Sequence, residues 1–260
     1  MKYGFVLPSG DARTAADLAH DAEQAGWDGF FVWEPVWGID AWVCLAAAAM
    51  TTSRIKLGTM LTPPSRMRPW KLASETATLD NLSGGRVILS VGLGAVDTGF
   101  AEFGEVTDRK TRAGLLDESL EILTGLWKGQ PFSFTGEHYT VKETNFYPPP
   151  PPVQQPRIPV WVVGAYPHPK SMRRALKYDG LLPQVYDKTG KFRPLQPADL
   201  GPITAYIASH RESTAPYDII VEGVTPGDQP EKAAAILREW QDAGATWWIE
   251  ALWEANNQPD

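Results

Sequence analysis

Short apolar runs punctuate the chain, and most are followed by a segment whose apolar positions recur at helical spacing. Tyr3–Pro8 reads as a strand and Ala15–Ala25 as a helix capped by Thr14, with Ala15, Leu18, Ala19, Ala22 and Ala25 on one stripe. Phe30–Trp33 is a second strand, and Asp40 caps a second helix, Ala41–Met50. Ile55–Leu61 is a third strand that Thr62-Pro63-Pro64 must end, because proline donates no ladder hydrogen bond. Trp70–Leu82 is a helix stopped by Ser83-Gly84-Gly85, and Arg86–Val91 is an apolar strand that opens into Gly92-Leu93-Gly94.

The rhythm breaks after Gly94. Ala95–Lys110 is polar and irregular, with Phe100 and Phe103 as anchors, before the long helix Thr111–Trp127. Phe132–Phe134 and His138–Val141 around Gly136-Glu137 predict a small hairpin, and Pro148–Pro152 a stiff polyproline connector. The alternation then resumes with strand Ile158–Val163, helix Ser171–Tyr178, strand Leu181–Pro183 and helix Asp199–His210. Strand Asp218–Glu222, helix Glu231–Ala243 and strand Thr246–Ala251 complete the chain. Repeated strand–helix units imply a parallel sheet under helical cover, and eight such strands in 260 residues favour closure. The expected fold is α/β, a (β/α)8 TIM barrel with a small insertion, hairpin plus proline-rich connector, between strands 4 and 5. One domain over 1–260 is the simplest organisation.

Composition narrows the partners. Net charge is -7, from 24 Lys+Arg against 31 Asp+Glu, which argues against a nucleic-acid backbone or an anionic membrane surface. The sole cysteine, Cys44, lies in an apolar run, so no disulfide framework forms and a cytoplasmic location is expected. Met1-Lys2 leads straight into a strand, with no secretory signal expected, and no apolar run approaches the ~20 residues of a membrane helix. The 11 tryptophans suit barrel packing and also an aromatic pocket for a planar, small-molecule ligand.

In such a barrel, chemistry sits at the carboxyl ends of the strands. No metal-spaced cluster falls there, and of the four histidines only His168 lies in a strand-end loop. Glu34 and Glu250 are strand-end carboxylates that could form an acid/base pair. Gly92-Leu93-Gly94 lacks the third glycine of a dinucleotide fingerprint, since Asp97 stands in its place. These glycines instead allow close approach at a strand end. Gly164–Arg174 runs from strand through loop into a helix beginning near Ser171, with Lys170 just before it. It reads either as an anion site at a helix N-terminus or as a solvated basic face, and Arg112 carries the same two readings.

Five segments together resemble the bacterial luciferase-like monooxygenases, flavin- or coenzyme F420-dependent oxidoreductases built on this barrel. They are A-E-Q-A-G-W-D-G-F-F-V-W-E, R-I-K-L-G-T-M-L-T-P, the run R-P-W-K-L-A-S-E-T-A-T-L-D-N-L-S-G-G-R-V-I-L-S-V-G-L-G, R-A-G-L-L-D-E-S-L-E-I-L-T-G-L-W and I-P-V-W-V-V-G, in the family's order up to about Pro183. The resemblance implies FMN or F420 as cofactor and a bulge, with a non-proline cis peptide, at Met60–Leu61 beside Thr59, under the ring. It implies further that Gly92, Leu93 and Gly94 border the ring, and that Arg112, Gly164, Ala165, Lys170, Ser171 and Met172 hold the phosphate. Homodimers are common in the family.

The departures are specific. Many deazaflavin members carry Asp-His after the second strand, where Glu34-Pro35 stands here. Some sugar-phosphate dehydrogenases of the family carry an acid after Gly-x-Gly, where Ala95 stands. Glu34 is therefore the catalytic candidate, with a structural role for it equally open. The leading expectation is hydride transfer or oxygen activation on a small organic substrate. A non-catalytic flavin-binding barrel, and a cofactor-free hydrolase using Glu34 and Glu250, are the rival expectations.

Overall fold

Residues 1–145 and 148–253 are described by a computed structural model. Their elements run β1 (Lys2–Leu7), α1 (Ala12–Gln24), β2 (Gly29–Val32), α2 (Ala41–Thr51), β3 (Lys56–Thr59), α3 (Pro69–Ser83), β4 (Val87–Val91) and α4 (Arg109–Lys128). Then come β5 (Phe132–Thr135), β6 (Thr140–Thr144), β7 (Val160–Tyr166), α5 (Pro169–Leu176), β8 (Gly180–Tyr186) and β9 (Phe192–Arg193). The last are α6 (Pro197–His210), β10 (Asp218–Gly223), α7 (Pro230–Ala243) and β11 (Trp247–Glu250). Strands β1, β2, β3, β4, β7, β8, β10 and β11 pair in parallel, and β10 against β8 closes the ring. This is the expected eightfold barrel.

Buried residues form two shells. The outer one, between strands and helices, includes Phe30, Val32, Leu57, Leu89, Leu45, Leu72, Leu116 and Leu120. The inner one fills the barrel with Val6, Phe31, Met60, Ile88, Trp161, Ile220, Trp247 and Ile249. Its aromatic rings interlock, with Trp161 5.1 Å from Trp247 and 5.5 Å from Phe31. Rings of that size leave no room beside them. A Cβ at Gly29 would lie 2.7 Å from Phe31, and one at Gly58 would lie 2.3 Å from the Ile88 carbonyl oxygen.

The hairpin β5–β6 is antiparallel, with Phe134 opposite Val141. The Glu118 carboxylate on α4 secures it by accepting from the backbone N–H groups of Glu137, His138 and Tyr139, at 2.7 to 3.1 Å. The proline connector is tied to α3 by the Asn81 amide donating to the Pro151 carbonyl at 2.9 Å.

Several helix starts differ from expectation because an earlier acceptor or proline sets them. Asp11, not Thr14, caps α1, accepting from the Thr14 N–H at 2.8 Å. Asp108 caps α4 in the same way through Thr111 at 2.7 Å. Asp40 caps α2 as expected. Helix α5 begins at Pro169, whose fixed φ suits a first turn, so Lys170 lies inside the helix rather than before it. Strand β8 is longer than Leu181–Pro183 because the short strand β9 pairs back onto it at Val185 and Tyr186.

Candidate active site

A cavity of about 830 Å³ opens at the carboxyl ends of the barrel strands, a size suited to a cofactor with a small substrate. Its floor is built where β3 ends. The Met60–Leu61 peptide is cis, as the sequence resemblance implied, and both residues line the cavity. Leu93, Gly94, Ala165, Ser171, Arg112 and Glu34 line it as well.

Thr59, Gly92, Gly164, Lys170 and Met172 do not line it, and each departure has a packing reason. Strand side chains alternate faces, so Ala165 shares the inner face with Trp161 while Gly164 turns outward. A Cβ at Gly164 would meet Leu181 at 2.3 Å, and Met172 is fully buried in the outer shell. At Gly92 a Cβ would lie 2.9 Å from Val163 and 3.0 Å from Leu61, so that glycine serves strand packing. Lys170 points from the exposed first turn of α5. Ser171 acts inside the site's frame, its Oγ accepting from the Ala165 N–H at 2.9 Å.

Thr59 contributes through a relay. Thr62 donates to the Glu34 carboxylate, and Thr59 Oγ1 lies 2.8 Å from Thr62 Oγ1. With the Thr62 proton committed to Glu34, Thr59 donates to Thr62. Burial pushes the Glu34 carboxyl up to about 7, against the opposing pull of Thr62, Arg66 and Trp42. A carboxyl that gains and loses its proton near neutrality can act as acid or base there.

Glu250 is a different case. Its carboxylate accepts from the Thr225 N–H at 2.6 Å, Thr225 Oγ1 at 2.9 Å and Trp248 Nε1 at 2.9 Å, and it stays outside the cavity. Trp248 and Glu250 share the outer face of β11, while Ile249 and Ala251 face inward. The expected Glu34–Glu250 pair is thus not assembled. The second carboxylate of the cavity is Glu222, two residues beyond the inward Ile220 on β10. Its place at the end of the expected strand Asp218–Glu222 was the available signal for it.

Five arginines also line the cavity. Arg66 donates to the Glu34 and Pro35 carbonyls at 3.2 and 2.8 Å, and Arg112 to those of Leu93 and Gly94 at 2.6 and 3.1 Å. Both guanidiniums lie 5.7 Å from the centroid of the Phe100 ring. Their Nε groups are buried without a hydrogen-bond partner among the described residues. Arg109 donates to Tyr186 Oη at 3.4 Å. Arg174 is paired with Asp117 and Arg193 with Asp199. Among the described residues, then, Arg66, Arg109 and Arg112 have no carboxylate partner, and the apolar floor and this cationic rim fit a ring-bearing cofactor with an anionic tail. No group of three metal-ligating side chains gathers among the described residues. No helix among them is long and apolar enough to cross a membrane.

The sequence profile of the luciferase-like monooxygenases matches residues 3–195. The chain belongs to that family. Among curated members it is 33% identical over 233 residues to the F420-dependent glucose-6-phosphate dehydrogenase of Beutenbergia cavernae, covering 84% of this chain and 66% of that protein. It is 35% identical over 190 residues to an uncharacterized protein of Mycobacterium tuberculosis, covering 64% of this chain and 65% of that protein. The chain therefore spans about two thirds of the length of these luciferase-like relatives. Its fold matches the coenzyme F420-dependent tetrahydromethanopterin reductase of Methanopyrus kandleri, with a TM-score of 0.78 at 19% identity, over 100% of this chain and 94% of that one. It also matches the FMN-bound oxygenating constituent of 3,6-diketocamphane monooxygenase from Pseudomonas putida, with a TM-score of 0.65 at 20% identity, over 86% and 67% of the two chains.

Proposed function

We propose that this chain is an oxidoreductase that uses coenzyme F420 to move a hydride to or from a small organic substrate. FMN is the second reading, supported by the monooxygenase description of the family. The observation that carries the proposal is one of position. Glu34, Met60, Leu61, Leu93, Gly94, Arg112 and Ser171 line one cavity, and all fall within the matched residues 3–195. The named relative at 33% identity supports F420 as the cofactor.

When bound, the cofactor supplies the hydride-exchanging centre; the protein positions the reactants and tunes their surroundings. In this reading the Met60–Leu61 segment and Leu93-Gly94 support the ring. Arg112 and the Ser171 turn face the anionic tail. Arg112 also fixes the Leu93 and Gly94 carbonyls, so one residue orders both the loop and the tail. Glu34 handles the substrate proton, held in place by Thr62 and Thr59. That proton-handling group favours an enzyme over a barrel that merely stores cofactor. The relative's sugar-phosphate substrate is not carried over, since Glu34-Pro35 and Ala95 replace the acid/base residues of that reaction.

We also propose one domain over 1–260, a cytoplasmic location and a homodimer. The buried lone Cys44 supports the second, and exposed Val43 and Met50 on α2 support the third.

Absorbance titration of the purified protein with F420 and with FMN tests the reading. Saturable binding of F420, followed by turnover of its reduced form with an acceptor, is expected. Binding of neither cofactor refutes it. Arg112→Ala is expected to weaken cofactor affinity by about 1–3 kcal/mol, the scale of a lost charged hydrogen bond. An unchanged affinity returns Arg112 to a loop-holding role alone.

A further inference from the structure

The cavity is polarised around the barrel. Arg66, Arg109, Arg112, Arg174 and Arg193 enter it from the segments that follow β3, β4, β7 and β8, with Arg66 at the boundary, bonded to the Glu34 and Pro35 carbonyls. The opposite arc, from β10 through β11 and β1 to β2, contributes no arginine or lysine to the lining. It contributes Glu222, Glu34, Trp33, Val224, Ala251 and Trp253. The indoles of Trp33 and Trp253 meet edge to face, with centroids 6.3 Å apart and planes at 75°, so an aromatic corner stands between the two carboxylates along the ring of strands.

The two acids are not equivalent. Glu34 is engaged by Thr62, with Arg66 nearby. Glu222 has no cation beside it among the described residues; the indole of Trp253 is the one group favouring its ionised form. Strand parity nevertheless turns it into the cavity above Ile220, where it touches solvent but is crowded by the surrounding walls. Desolvation pushes its carboxyl up from the ordinary range. A bound cation would supply the counter-charge that the protein omits.

We infer that this arc is the substrate subsite, that Glu222 is its recognition residue, and that the substrate carries a protonated amine or other organic cation on an apolar body. The inference rests on the reading above, in which the arginine side is taken by the cofactor's anionic tail. A carboxylate beside indole rings is a pairing that attracts ammonium groups, and it repels a phosphate. It therefore separates this chain's substrate from the sugar phosphate named for its relative.

Calorimetric titration of the full chain saturated with F420 tests this, using phenethylammonium against its neutral counterpart 2-phenylethanol. The amine is expected to bind at least about tenfold tighter, the scale of one charge-assisted hydrogen bond. Glu222→Gln should erase that preference while leaving F420 affinity unchanged, and Glu222→Asp should keep part of it. Equal or weaker binding of the amine, or a preference that survives in Glu222→Gln, overturns the inference. F420 binding without amine preference removes the inference and leaves the cofactor reading standing. Binding of neither F420 nor FMN overturns the cofactor reading, and with it this inference, whatever the amine preference.

Discussion

At the scale of single residues, Glu34 shows how position changes chemistry. A carboxyl with a pKa of about 7 holds its proton in the fold through a range where the unfolded chain has released it. Folding therefore takes up a proton there, and the stability this group contributes is lost as pH rises from the ordinary carboxylate range through about 7. Glu34→Gln should remove that dependence, so that between about pH 5 and about pH 8 the wild-type melting temperature falls relative to the variant's. The same change should lower kcat by about a hundredfold, as expected for loss of a general acid or base, with KM less affected. A kcat that does not change would assign Glu34 to loop structure. Gly58 tests the barrel interior. An added methyl would meet a backbone carbonyl, Ile88 O, that cannot swing away. Gly58→Ala should cost about 1–3 kcal/mol in urea unfolding, the usual cost of overpacking.

At the scale of elements, most of the chain's helices and strands are legible because local chemistry specifies them. Asp40 caps α2 and Gly84, in the left-handed region at φ 67°, ends α3, both as their residue types suggest. The miscast starts of α1, α4 and α5 have a common cause. A polar residue or proline upstream of the apolar stripe extends the helix into a segment with no periodicity to reveal it. The hairpin β5–β6 illustrates dependence on a distant partner. Its turn N–H groups are satisfied by Glu118, roughly a helix-length earlier in the chain. Glu118→Ala should expose those groups, destabilise the hairpin by about 1–3 kcal/mol and speed amide exchange at 137–139 well before the barrel itself opens. Uniform exchange across both would show that the hairpin folds with the barrel as one unit.

At the scale of the whole molecule, closure of the ring decides which residues meet. A ligand that binds only the folded barrel stabilises it by mass action. At about a hundred times its Kd, F420 should add about 2.7 kcal/mol, read as a higher urea midpoint. An unchanged midpoint would place its binding outside the folded cavity. The sequence by itself determined the alternation of strands and helices, the number of barrel strands, the family and the segment that carries the Met60–Leu61 peptide, because these depend on local periodicity, turn residues and short motifs. It did not determine which face of each strand looks inward. Strands of a parallel barrel are apolar on both faces, so a sequence such as V-W-V-V-G-A carries no polar alternation to betray its inner side. Only the closed ring turned Glu222 and Ala165 into the cavity and Glu250 and Gly164 away from it. It also brought the carboxylates of one arc to face the arginines of the other, because that distribution depends on which strands become neighbours and not on what precedes or follows each residue in the chain.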